Sequence, residues 1–423
     1  MKQIRTLYFF ELKKIVDRKI TWMIGGVIIL LCIFLSFADL LSSSVYVGDV
    51  SISGYEAMKI NREYARNLKG RVIDDTLLQE MADSYPEGIE NEGRAIINDR
   101  MTGTVGAITE STEENGEKKV YAEQLDPQSF INEYEPIYSF MCKVVENEIL
   151  GISEEELYDE RAMVISQNRT DQMLTEEELN FWEEKSAQIK TPFTYEYAEG
   201  WGNIWMYAYT VNYMIFLMIA ICLSNMFSIE HLRKTDAIIL CSQYGKKHLY
   251  LAKILAGVTF GVITASLILG VTVISSILVY GSDGYDAALQ LIYPLSSWKV
   301  SIGESIIILF GVLLIISVLY SVAVMVLSEM IKNSAAVMAV PVGIMILTMM
   351  IDIPYQWRIP SQIYDLLPTN LLIKFQLWDD RLVSVFGRYL TNFQISPLIY
   401  GIAVIILFWI GKRKYQRYQI AAR

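Results

Sequence analysis

Apolar runs long enough to cross a lipid bilayer constrain this chain more than any other feature. A membrane-spanning helix needs about 20 mostly apolar residues. Six stretches approach or meet that length: Ile20 to Leu41, about Ile204 to Ser228, about Tyr250 to Tyr280, Ile302 to Leu327, Ala335 to Ile351 and Ile395 to Ile410. The last two are the shortest. The first carries no charge before Asp39. It is longer than the apolar core of a signal peptide and no small-x-small cleavage site follows it cleanly, so it reads as an anchor. With 53% hydrophobic residues, the chain is too apolar for an ordinary soluble domain. The expected fold is an α-helical polytopic membrane protein with six transmembrane helices and an α-rich (α+β) extracellular domain between spans 1 and 2.

Charge placement sets the expected orientation. Residues 43–203 hold 14 Lys or Arg and 34 Asp or Glu, whereas the rest of the chain holds 22 and 13. Cytoplasmic loops collect Lys and Arg, and long loops translocate largely regardless of charge. Basic residues crowd before the first span (Lys2, Arg5, Lys13, Lys14, Arg18, Lys19), between Arg233 and Lys253, and after the last span (Lys412, Arg413, Lys414, Arg417, Arg423). Six spans put all of these on one side. Both termini are then cytoplasmic in a multi-pass protein of the cell membrane, and the acidic insert lies outside.

The division that follows is an amphipathic interfacial helix over 1–19, the first span over 20–42, the extracellular domain over 43–203 and spans 2–6 over 204–411. Within the last, 229–249 is a cytoplasmic loop and 352–394 an extracellular one; 412–423 is a tail. In the insert, Glu56 to Tyr85 has helical spacing with a break at Gly70. Asp126-Pro127 opens a helix towards Leu150, and Thr175 with Glu178 forms a capping-box pattern. Asn115-Gly116 marks a hairpin within 103–121. One cysteine, Cys142, cannot form a disulfide within the insert. In 352–394, Trp357 and Trp378 suit headgroup depth.

Catalytic patterns are missing. The sequence has no HExxH, no CxxC pair, no Gly-rich phosphate loop ending in Gly-Lys-Ser/Thr and no GxSxG. Its two histidines, His231 and His248, read as surface loop residues. Glu154-Glu155-Glu156 and Glu176-Glu177-Glu178 lack the oxygen-ligand alternation of a calcium loop and read as solvated helix starts. Asp39, Glu304 and Glu329 fall near span ends, within reach of headgroups, with Lys299 placed to pair with Glu304. No catalytic, metal or cofactor-binding residue is assigned, and no nucleic-acid partner.

The segment Glu230 to Lys253, EHLRKTDAIILCSQYGKKHLYLAK, joins two apolar runs. It resembles the stretch after the second span in permease subunits of type-2 ABC exporters, which runs E-x-E-x-G-T, an apolar triplet, a Pro and a closing Lys. The leading Glu falls on Glu230, the Thr on Thr235, the triplet on Ile238-Ile239-Leu240 and the Lys on Lys253. Leu232, Lys234 and Gln243 depart from the pattern. The resemblance extends over the whole topology. It implies a short coupling helix seated in an ATPase subunit, with contacts from Glu230, Arg233, Lys234, Thr235 and Asp236. It also implies two ATPase copies carrying the ATP and Mg, a second permease subunit, identical or different, and surrounding membrane lipid, in a bacterial cell membrane. Peptides, drugs, lipid-like molecules and sodium are the cargo classes it leaves open. Two rival readings stand beside export: a sensor or mechanotransmission subunit acting through the insert, and a membrane-bound enzyme with an unseen site in the insert.

Overall fold

A computed structural model describes residues 2–42, 44–47, 50–84, 107–112, 118–123, 133–145, 149–233, 248–331, 333–351, 353–372 and 379–417. Helix α1 (Lys2–Val16) turns into α2 (Lys19–Ser42). The last carbonyls of a helix have no partner within it. Here Thr21 Oγ1 donates to the Ile15 carbonyl and Trp22 Nε1 to that of Val16, each at 2.8 Å. Helix α1 also lies along a later span, with the Tyr8 hydroxyl 3.1 Å from Thr259 Oγ1.

The insert follows as a hairpin of β1 (Ser44–Val47) and β2 (Val50–Ser53), then α3 (Tyr55–Asn67) and α4 (Asp75–Ser84). A second hairpin pairs β3 (Ala107–Thr112) with β4 (Lys118–Glu123), and α5 (Glu135–Met141), α6 (Glu154–Asp171) and α7 (Glu176–Ser186) complete it. The break at Gly70 is present, at φ +79°. The expected hairpin is present too, although its Asn115-Gly116 turn lies outside the described residues. The helix expected from Asp126 is described only as the shorter α5. Residues 70–73 pair with the returning strand, Ile73 N donating to the Phe193 carbonyl at 2.8 Å. Entry and exit of the insert are thereby tied around a core that includes Leu77, Met81, Ile137, Phe140 and Phe193.

Beyond it come α8 (Glu199–Leu223), α9 (Asn225–Leu232), α10 (His248–Tyr280), α11 (Ile302–Met330), α12 (Ser334–Met350), α13 (Arg358–Asp365), a hairpin of β5 (Val383–Val385) and β6 (Arg388–Leu390), and α14 (Asn392–Arg417). Among the described residues, five helices are long and apolar enough to cross a bilayer: α2, the α8–α9 segment, α10, α11 and α14. The chain is a multi-pass helical membrane protein. The fifth expected span is the 17-residue α12, which rises only about 26 Å at 1.5 Å per residue. Helices α8 and α11 are the most enclosed, whereas α2 and α14 turn Trp22, Met23, Leu30, Ile405 and Trp409 outward.

Close crossings hold the spans together. A Cβ on Gly257 would sit 2.0 Å from Met325 Sδ, and one on Gly261 would sit 2.0 Å from Ser321 Oγ. This Gly-x-x-x-Gly pair lets the α10 backbone approach α11, as small residues do where no hydrophobic force drives helices together.

Candidate coupling site and the clamp on the inserted domain

Helix α9 continues from α8 past a single junction residue, Ser224, whose backbone stays helical. Ser328 of α11 seals it: its Oγ donates to the Ser224 carbonyl at 2.7 Å and accepts from Phe227 N at 3.0 Å and Ser228 N at 3.1 Å. Ser228 Oγ donates to the Ser224 carbonyl and shares a 2.7 Å hydrogen bond with Ser334 Oγ, which opens α12. Four serines, all uncharged, thus tie α9 to the short α11–α12 connection.

Helix α9 is fixed at its far end by an ion pair. Glu230 Oε1 lies 2.5 Å from Lys253 Nζ, and Lys253 is 0% exposed. The same ammonium donates to the Met226 carbonyl at 2.8 Å and sits 4.6 Å over the Phe227 ring. Tyr250 and Tyr415 stack beside Phe227, with ring centroids 5.4 Å apart, and bring in α14. A buried ammonium is tolerated only when paired and fully hydrogen-bonded, and this one has a carboxylate, a carbonyl and an aromatic face.

The structure therefore joins the first and last matched positions of the coupling-type segment. Glu230 turns inward to Lys253, while Arg233 is exposed just past α9. Lys234, Thr235 and Asp236 lie outside the described residues. Glu329, expected to reach headgroups, is buried instead. Glu304 does not pair with Lys299; it closes a capping box on Ser301, whose N–H lies 2.9 Å from Glu304 Oε2.

At the opposite end, the inserted domain grips the connections between spans through arginines. Helix α6 buries Leu157, Arg161, Ile165 and Arg169, a stripe at four-residue spacing. Arg161 donates to the carbonyls of Pro294 (2.6 Å) and Ser296 (2.9 Å). Burial pushes its guanidinium down to about 10. Arg169 pairs with Asp380 at 2.7 Å and donates to Ser297 Oγ at 2.7 Å. Burial pushes the Asp380 carboxyl up to about 6, against the pull of Arg169.

Glu178 was expected at a solvated helix start. Its capping box with Thr175 is present, but the side chain is 1% exposed. Besides capping α7, it accepts from Leu382 N at 2.6 Å and pairs with Arg358. Burial pushes this carboxyl upward, yet Arg358 and the N–H groups of Thr175 and Leu382 outweigh it and hold it below the usual range. Beneath it, Arg381 is 0% exposed and pairs with Asp365 and with Asp379, the latter at 2.9 Å through its Nε. Asn392 at the start of α14 donates to the same Asp379 at 2.9 Å. Arg161, Arg169 and Arg358 thus bind α6 and α7 to both connections on that side of the bundle, and Arg381 ties the second connection to itself.

Among the described residues, no group of three or more His, Cys, Asp or Glu side chains is placed to hold a metal ion. No protein-family model, curated protein or solved structure matches the chain.

Proposed function

We propose that the chain is the membrane-spanning subunit of a type-2 ABC exporter, moving a peptide, drug or lipid-like molecule with ATP hydrolysed on a separate ATPase. The observation that carries this reading is the Glu230–Lys253 ion pair, which joins both ends of the coupling-type segment at one buried point. A rigid base of that kind transmits a push on the loop directly to α8, α10 and α14. In this reading Glu230 positions the loop, and Arg233 with Lys234, Thr235 and Asp236 meets the ATPase. Two ATPase copies and a second permease subunit complete the assembly. Helix α12 acts as the short sixth span, which leaves both termini cytoplasmic and the inserted domain outside the cell.

The test is co-purification with a candidate ABC ATPase subunit co-expressed with the chain. Arg233→Glu is expected to weaken capture at least tenfold and to lower ATP turnover of the complex, with the melting temperature of the permease unchanged. Undiminished capture and turnover would remove the coupling role.

A second reading is favoured by the arginine clamp. A domain bound this firmly to two connections between spans passes force as readily as cargo. The chain would then be an ABC-type sensor or mechanotransmission subunit. Reconstituted vesicles that hydrolyse ATP in response to an external ligand but accumulate no candidate cargo would select it.

A further inference from the structure

We propose that the exposed face of α13 is a foot resting in membrane lipid, with Trp357, Ile359 and Ile363 seated where headgroups meet acyl chains in the leaflet on the inserted-domain side. A surface helix of a water-soluble domain buries its apolar stripe and turns its polar one outward. Helix α13 is built the other way round. Arg358, Ser361, Gln362 and Asp365 share one face, at i, i+3, i+4 and i+7, and all four are engaged by protein. Arg358 pairs with Glu178 and donates to the Met173 carbonyl at 2.9 Å. Ser361 and Asp365 answer the buried Arg381, and Gln362 donates to the Leu382 carbonyl at 3.2 Å. The opposite face carries Ile359, 70% exposed, Pro360, also exposed, and Ile363, 61% exposed, with Trp357 at 66% just before the first turn.

Two observations select lipid as the cover for that face. The first is continuity. Helix α12 turns Val340, Ile344, Leu347 and Ile351 outward at alternating steps of four and three. The Tyr364 hydroxyl of α13 donates to the carbonyls of Thr348 and Ile351 at the end of that helix. The apolar stripe of α12 therefore ends against α13. The second is length. With 17 residues, α12 rises about 26 Å, about 4 Å less than a hydrocarbon core of about 30 Å. Its last turn does not clear the apolar layer, so the helix bonded to that turn begins at the boundary.

The side chains suit that depth. Tryptophan collects at membrane–water boundaries, where its ring is apolar and its N–H wet, and an interfacial helix sinks its apolar face about 5–10 Å into the headgroup and acyl boundary. Ile359, Pro360 and Ile363 bring no charge that would fix the register of a protein partner, and a fluid lipid surface needs none. Because the opposite face is locked to Glu178 and Arg381, this one helix joins the leaflet to the inserted domain and sets the height at which the domain stands. The inference rests on α12 crossing the bilayer. It needs neither export nor an ATPase.

The full chain in phosphatidylcholine nanodiscs, its four native cysteines replaced by alanine, is labelled with a small fluorophore at Ile359→Cys or Ile363→Cys. Two quenchers are applied: a lipid carrying a nitroxide near the top of its acyl chain, and aqueous iodide. Glu155→Cys, on an exposed position of α6, reports water, and Ile344→Cys on α12 reports lipid. Both α13 labels are expected to be quenched by the nitroxide lipid, with iodide quenching about tenfold weaker than at position 155, because an ion is excluded from an apolar layer. Iodide quenching as strong as at position 155 overturns the proposal. Protection from both quenchers overturns it too, since a second protein surface would then cover the face. Lipid contact at position 344 with water at both α13 positions overturns the foot and spares α12 as a span; water at position 344 as well overturns both. Should the cysteine-free chain not fold, Trp357→Phe in the native-cysteine chain gives the same answer. The tryptophan emission lost on that substitution should be quenchable by the nitroxide lipid and not by iodide, and any other result overturns the proposal.

Discussion

Arg169 and Asp380, 211 residues apart, meet at 2.7 Å in the seam between the inserted domain and the connection that leads into α14. Trp182 donates to the Asp380 carbonyl at 2.5 Å, and Gln172 accepts from the Asp380 N–H at 2.8 Å. Backbone and side chain of one residue are thus both held by the insert. Movement of the insert relative to this connection requires breaking buried charge pairs, so the two travel together.

Arg381 is the most heavily committed of these groups, answering Asp365, Asp379 and Ser361. Arg381→Leu leaves two buried carboxylates without their cation. Removing one partner of a buried pair costs about 3–5 kcal/mol. The detergent-solubilised variant should melt well below wild type, and adding Asp365→Asn and Asp379→Asn should recover part of the loss.

Acidification separates the two seam carboxylates. Asp380 moves from 3.8 to about 6 on folding, so the folded chain holds this proton more tightly. Its contribution is complete below the unfolded value and is lost as the pH rises through about 6. Between pH 7 and pH 5 wild type should gain about 1 kcal/mol relative to Asp380→Asn. Glu178 runs the other way: its carboxyl is held low, so its contribution persists to acid pH and disappears as the pH falls through its lowered value. Denaturant titrations of wild type, Asp380→Asn and Glu178→Gln, carried from pH 7 down to pH 2, check both signs.

Lys253→Met keeps the aliphatic packing but removes the ammonium that Glu230 pairs with at the base of the loop. The loop base should loosen, and limited proteolysis between Arg233 and His248 should accelerate at least tenfold. The exchanged pair, Glu230→Lys with Lys253→Glu, should restore part of the protection, because residues in contact are energetically coupled.

Gly261→Leu drives a side chain into Ser321 and the Ser317 carbonyl. Overpacking a tight crossing costs about 1–3 kcal/mol, so a lower melting temperature and poorer extraction as a single species are expected. Gly311→Leu, where a Cβ meets nothing within 4 Å, is the matching control and should behave as wild type.

What the sequence made legible was local. The long spans, the Thr175–Glu178 box, the Gly70 break and the 107–123 hairpin rest on periodicity, caps and turn chemistry within a few residues. The arginine anchors were not legible, because Arg161 finds its carbonyls 133 and 135 residues away. Their signal was nonetheless present: Leu157, Arg161, Ile165 and Arg169 share one helical face, and arginines alternating with aliphatics on a buried stripe seldom face water. Glu178 was misread because the same carboxylate caps a helix and answers Arg358. The pattern on Glu230 and Lys253 placed the loop ends but could not show that they touch.

Near the inserted domain, α8 and α10 come so close that a Cβ on Gly200 would lie 2.3 Å from the Gly281 carbonyl oxygen, and Ser276 Oγ donates to the Gly200 carbonyl at 2.7 Å. Two stiff rods riveted at one tip could part only at the other, and there the Glu230–Lys253 pair binds them a second time. Pinned at both tips, α10 and the α8–α9 segment form a single strut, so a tilt imposed at one end is delivered to the other without a hinge between them.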